Sequence, residues 1–210
     1  MPVRLMLATL VVLLLPAAAA AAAFVIQGVE FSDERGGFRL LAASGRGSRA
    51  DPFVLVEEIF GPGPAVLVVR GLDRLAGGKR GETRPIAIHL RKQVRNLTAD
   101  VWGHFDLELR EQVGLPSDYF DGLSFDQAST TPVPFASDRF QIIEPIMESF
   151  DFLRFSGGEV RPGGAANLDL VITDTSPQGI FYLIQLPKTP MVEGPVEEPG
   201  RAPLRRLAWE

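Results

Sequence analysis

The sequence predicts an all-β fold: an antiparallel β-sandwich of about ten strands, with a secretory leader before it and an extended tail after it. Three observations point there. Apolar runs are short and bounded by Gly, Pro, Asp or Ser. Within the runs, apolar and polar residues alternate with the two-residue period of a strand. No stretch holds a helical period over several turns.

In chain order the strand runs are FVIQGVEF (24–31), GFRLLAAS (37–44), PFVLVEEIF (52–60), AVLVVRGL (65–72), PIAIHLRKQVRN (85–96), VWGHFDLELREQ (101–112), FQIIEPI (140–146), FDFLRFSGG (150–158), NLDLVITDT (167–175) and GIFYLIQLP (179–187). The third and fourth are apolar on both faces, which predicts central strands. The GPGP between them reads as a turn. In 85–96, Ile86, Ile88, Leu90 and Val94 face the core, while His89, Arg91, Gln93 and Arg95 face out. In 101–112, Val101, Phe105, Leu107 and Leu109 face in, while Trp102, His104, Asp106, Glu108 and Arg110 face out. Joined through LTAD, these two runs predict a hairpin that sets Arg91 opposite Asp106, His89 opposite Glu108 and Arg95 near Trp102. Such pairs contribute roughly 0.2–1 kcal/mol each.

The ends differ from the body. Residues 1–23 hold one early charge, Arg4, an apolar run from Leu5 to Leu15, Pro16 and then alanines to Ala23. These are the parts of a signal peptide, with cleavage expected after Ala23. A retained membrane anchor is the alternative; Pro16 and the weak apolarity of alanine oppose it. The mature chain then has no membrane span. Residues 24–187 form a single domain, and the Pro-rich residues 188–210 form a disordered tail ending in PLRRLAWE, a candidate docking segment.

Composition narrows the chemistry. There is no cysteine, which removes disulfides, thiol catalysis, thiolate zinc sites and iron–sulfur clusters. A net charge of −5 gives no electrostatic reason to bind nucleic acid. The G-x-S-x-G and H-E-x-x-H motifs are absent. AGGKRGET (76–83) lacks the strand and helix of a phosphate loop and reads as a basic loop. SGRGSRAD (44–51) reads as a connection. The histidines, His89 and His104, share one exposed face in the predicted hairpin without being opposed, which argues for surface pairs over a metal site.

The most chemical passage is LPSDYFDGLSFDQ (115–127). Asp118, Asp121 and Asp126 surround Gly122 and could supply oxygen ligands to calcium, although the pattern is not an EF-hand. Tyr119 and Phe120, with an outward Trp102, offer a platform for a ligand such as a glycan. LPSD and FDG are also ordinary turn chemistry.

The segment FDFLRFSGGEVRPGGAANLDLVITDTSPQGIFYLIQLP carries turn glycines at Gly157, Gly158, Gly163 and Gly164, with Pro162, between alternating strands. Over residues 140–190 it resembles choice-of-anchor-like surface modules of exported bacterial β-sandwich proteins. That resemblance implies a sandwich and no catalytic residues. The functional expectation is an exported envelope or extracellular protein with a structural or binding role, whose partner is an envelope protein or a glycan. A calcium-dependent or carbohydrate-binding adhesion module is the first alternative. A hydrolase with a spatially assembled carboxylate pair is the second.

Overall fold

Alternating side chains that face inward from two sheets build the interior of this protein. The computed structural model describes residues 20–75, 85–117, 121–125, 135–146 and 151–190. In order, the elements are β1 (Ala23–Ile26), β2 (Val29–Ser32), β3 (Phe38–Ser44), β4 (Phe53–Ile59), β5 (Ala65–Arg70), the single helical turn α1 (Leu72–Leu75), β6 (Ile86–Asn96), β7 (His104–Arg110), β8 (Leu123–Phe125), β9 (Ala136–Ser137), β10 (Ile142–Ile146), β11 (Phe152–Ser156), β12 (Ala165–Asp174) and β13 (Ile180–Lys188). One sheet runs β1-β2-β5-β13-β7-β11-β10, the other β3-β4-β6-β12-β8, with β9 on the side of β12. The all-β sandwich is as expected. Among the described strands, the one departure from antiparallel pairing is β4 beside β6, which run parallel. The chain makes that pairing possible by crossing through β5 and α1 of the other layer between them.

The core is drawn from both sheets. Phe31 of β2 meets Phe53 of β4 edge to face, with centroids 5.2 Å apart. Such contacts contribute about 0.5–1.5 kcal/mol beyond the area they bury. Leu67, Leu107, Phe155 and Leu183 from the first sheet and Leu55, Leu90, Leu168 and Phe125 from the second complete the layer. Both strands expected to be central lie inside a sheet, and β5 is buried on both faces.

Two sequence expectations are corrected. The run 24–31 is two strands, because Gln27 and Gly28 both take positive φ (53° and 83°) in a two-residue turn that pairs Ile26 with Val29. The hairpin of 85–96 with 101–112 does not form: β6 and β7 belong to different sheets. LTAD is a crossover, built on the buried side chain of Asn96. Its amide donates to the carbonyls of Asp100 (2.8 Å) and Val160 (2.9 Å), and its oxygen accepts from the N–H (2.9 Å) and hydroxyl (2.7 Å) of Thr98. Ile88, Leu90, Val94, Phe105, Leu107 and Leu109 lie in the core as expected, whereas Val101, expected inward, is only half-buried and Trp102, expected outward, belongs to the core. The cross-strand partners are Asp169 for Arg91 and Arg154 for Asp106. Val171 lies opposite His89.

Candidate functional site

The positions of β7 that alternate away from the core were expected to meet solvent, yet His104, Asp106 and Glu108 are buried. β7 lies between β13 and β11, and long side chains on those neighbours close over it. Asp106 is fully buried and sits opposite Arg154. Arg154 donates to both of its carboxylate oxygens, Nε to Oδ1 at 2.8 Å and a terminal nitrogen to Oδ2 at 3.0 Å. Lys188 Nζ approaches Oδ2 at 3.1 Å, and His104 Nε2 lies 3.9 Å from the same oxygen. One buried carboxylate therefore gathers two permanent cations and an imidazole. Burial pushes the His104 pKa below the usual histidine range; Asp106 opposes the shift, and Arg154 and Lys188 add to it. His104 is accordingly neutral at pH 7.

This hub forms one wall of a cavity of about 510 Å³, which Thr98, Asp100, Trp102 and the chain from Pro187 to Pro190 complete. Gly103 lets that chain pass: a Cβ there would lie 2.5 Å from Pro190 Cα, and the Gly103 N–H donates to Lys188 O at 2.8 Å. Trp102 lines the cavity but faces inward. It is 2 % exposed, its indole N–H donates to Thr98 Oγ1 at 3.1 Å, and its ring stands edge-on to Phe105. The expectation of an outward Trp102 is corrected, because the Trp102–Val160 bridge turns this residue under the crossover.

At the other end of β7 the loop 115–127 behaves partly as a turn. Asp121 Oδ1 accepts from the Leu123 N–H at 2.9 Å, and the Asp121 carbonyl accepts from the Ser176 hydroxyl at 2.6 Å. Asp118, Tyr119, Phe120 and Asp126 lie outside the described residues. Asp121 shares its surroundings with three acids that no sequence pattern joined to it: Glu111, Asp151 and Asp174. Burial raises the pKa of each, and the charge of Asp121 raises it further. Asp151 is pushed up to about 7. Asp121 Oδ2 is buried and, among the described residues, accepts no hydrogen bond. Among the described residues, no three His, Cys, Asp or Glu side chains are grouped to hold a metal ion.

No family model, curated protein or solved structure matches the chain. The likeness of residues 140–190 to exported surface modules thus rests on its turn glycines and alternation alone.

The two histidines do not share a face. His89 points away from the core of the second sheet and His104 away from the core of the first. The Asp106 hub was missed because its members are far apart in sequence. The alternation of β7 shows that Asp106 and His104 share a face, and only the strand order shows that Arg154 and Lys188 join them.

Proposed function

We propose that this chain is an exported envelope or extracellular β-sandwich that binds rather than catalyses, and that its cavity takes a saccharide bearing a carboxylate. The observation that carries this reading is the Asp106 hub. A single carboxylate is shared by Arg154 and Lys188, so the hub itself carries one positive charge in excess, with Asp100 the acid elsewhere in the lining, and the Lys188 side chain remains 46 % exposed at the cavity wall. The Asp100 carboxylate, which lines the same cavity, supplies an acceptor for sugar hydroxyls. The leader-like residues 1–23 support export. The test is an array of acidic and neutral glycans, followed by calorimetry on the hits with wild type and Lys188→Met. Acidic hits weakened at least about tenfold by Lys188→Met are expected, a loss of roughly 1.4 kcal/mol. An empty array, or equal affinity in the variant, overturns the reading.

The unpartnered Oδ2 of Asp121 favours a second reading, in which calcium at the acidic end supports adhesion. A melting temperature raised by calcium after chelator treatment would support it; an unchanged one would remove it.

A further inference from the structure

The alanines from Ala17 to Ala23 offer a leader peptidase several equivalent sites, since small residues one and three positions before the cut satisfy it anywhere in the run. The fold distinguishes them. The backbone nitrogen of Ala22 donates to Asp33 Oδ1 at 2.7 Å, and the Asp33 N–H donates back to Ala22 O at 3.1 Å. From there the β1–β2 ladder continues with Ala23 opposite Ser32. The other carboxylate oxygen, Oδ2, accepts from the Leu40 N–H of β3 at 2.9 Å. Asp33 thus ties an edge strand of the first sheet to an edge strand of the second. It is 8 % exposed, and among the described residues no basic side chain pairs with it. A carboxylate removed from water and held only by neutral N–H groups lacks a counter-charge.

We propose that the leader is cut between Ala21 and Ala22, and that the α-ammonium created on Ala22 is the counter-ion of Asp33. This rests on the export reading above. Hydrolysis breaks the Ala21–Ala22 peptide bond. Water gives its hydroxyl to the Ala21 carbonyl carbon and a proton to the Ala22 nitrogen, which takes up a further proton at neutral pH. The atom already 2.7 Å from Asp33 Oδ1 changes from an amide to a cation without moving. A cut after Ala23 would remove both backbone bonds to Asp33 and the first pair of the ladder. A cut before Ala21 would leave residue 22 an amide and keep the extra residues as part of the wall of a cavity of about 450 Å³, which Ala20 and Ala21 line together with Glu34, Arg39 and Phe60. Those two charges are already engaged, Glu34 by Arg70 and Arg39 by Glu58.

The experiment is export of the full chain from a bacterial host, then N-terminal sequencing and intact mass of the soluble product. A start at Ala22, reading AAFVIQ, is expected. A start at Phe24 or Ala20 overturns the assignment and leaves export intact, whereas an uncut chain in the membrane fraction overturns export itself. In the processed protein, the α-amino pKa should lie at least about one unit above that of Asp33→Asn. A chain made to begin at Ala20 should melt several degrees lower. Equal α-amino values in wild type and Asp33→Asn, or equal melting of the longer chain, would reject the ion pair.

Discussion

Lys92 Nζ donates to Glu57 Oε1 inside the sandwich, and neither side chain reaches solvent. Both sit at inward positions of neighbouring parallel strands, among Leu55, Leu90 and Val94. Burial drives the Lys92 pKa down, and Glu57 opposes that shift by its charge and hydrogen bond. Among the described residues, Glu57 Oε2 has no hydrogen bond, nor does either amide atom of Gln185, which projects into the interior from the other sheet.

Removing one member of this pair should therefore be far worse than removing both. Lys92→Met or Glu57→Leu alone leaves a charged group in an apolar interior and should cost about 3–5 kcal/mol. The double variant Lys92→Met/Glu57→Leu should recover most of that loss or exceed wild type. Urea unfolding of the three variants measures this. Additive losses would contradict a directly interacting buried pair.

The two arginine–carboxylate pairs should differ in the same physical terms. Arg154 holds a carboxylate with no exposure, so Arg154→Ala should cost about 2–4 kcal/mol. Arg91 and Asp169 are 46 % and 32 % exposed, so Arg91→Ala should cost only about 0.2–1 kcal/mol. Were β6 and β7 a hairpin with Arg91 on Asp106, the large loss would fall on Arg91. Thermal melts of the two single variants decide between the arrangements.

That contrast shows what the sequence could reveal. The alternation of 85–96 and 101–112 correctly assigns Ile88, Leu90, Val94, Phe105, Leu107 and Leu109 to the core, because the two-residue period follows from backbone geometry alone. It says nothing about which strand lies alongside. Arg91 has an acid opposite it in either arrangement, so the charge pattern satisfies a false register as readily as the true one. Lys92 was invisible for a different reason: it occupies an inward position, but its burial depends on Glu57 in a strand that pairs with β6 only after a crossover. Asp121 could be singled out from its turn. Its acidic neighbours Asp151 and Asp174 arrive through strand pairing that local spacing does not encode.

The connection between β11 and β12 makes a local prediction. At Gly158 an added Cβ would lie 1.8 Å from the Arg139 carbonyl oxygen, whereas at Gly163 it would meet nothing within 4 Å. Gly158→Ala must push backbone apart and should cost about 2–4 kcal/mol. Gly163, with φ of 79°, suffers only the left-handed backbone penalty, so Gly163→Ala should cost about 1–2 kcal/mol and Gly163→Asn less. Equal losses for the two alanine variants in denaturant unfolding would contradict the close approach at Gly158.

Asp151 sets a pH dependence whose sign can be worked out. Its folded pKa of about 7 stands above the ordinary 3.8, through burial first and the charge of Asp121 second. Between those values the folded protein keeps a proton that the unfolded chain has released. Stability from this group is therefore full below the ordinary value, falls as pH rises through the window, and levels off above about 7. His104 acts in the opposite sense, since its lowered pKa costs stability as pH falls below the ordinary 6.5. The two effects separate in a difference measurement. Asp151→Asn mimics the protonated acid and leaves His104 in place, so subtracting its profile from that of wild type isolates Asp151. Relative to Asp151→Asn, wild type should lose on the order of 2–3 kcal/mol between about pH 4.5 and about pH 8, the lower end reflecting solvent screening of a half-buried group. Asp121→Asn removes the neighbouring charge and should shrink that loss without abolishing it, because burial is the larger cause. Urea unfolding of the three proteins across this range tests the assignment, and parallel wild-type and Asp151→Asn profiles would reject it.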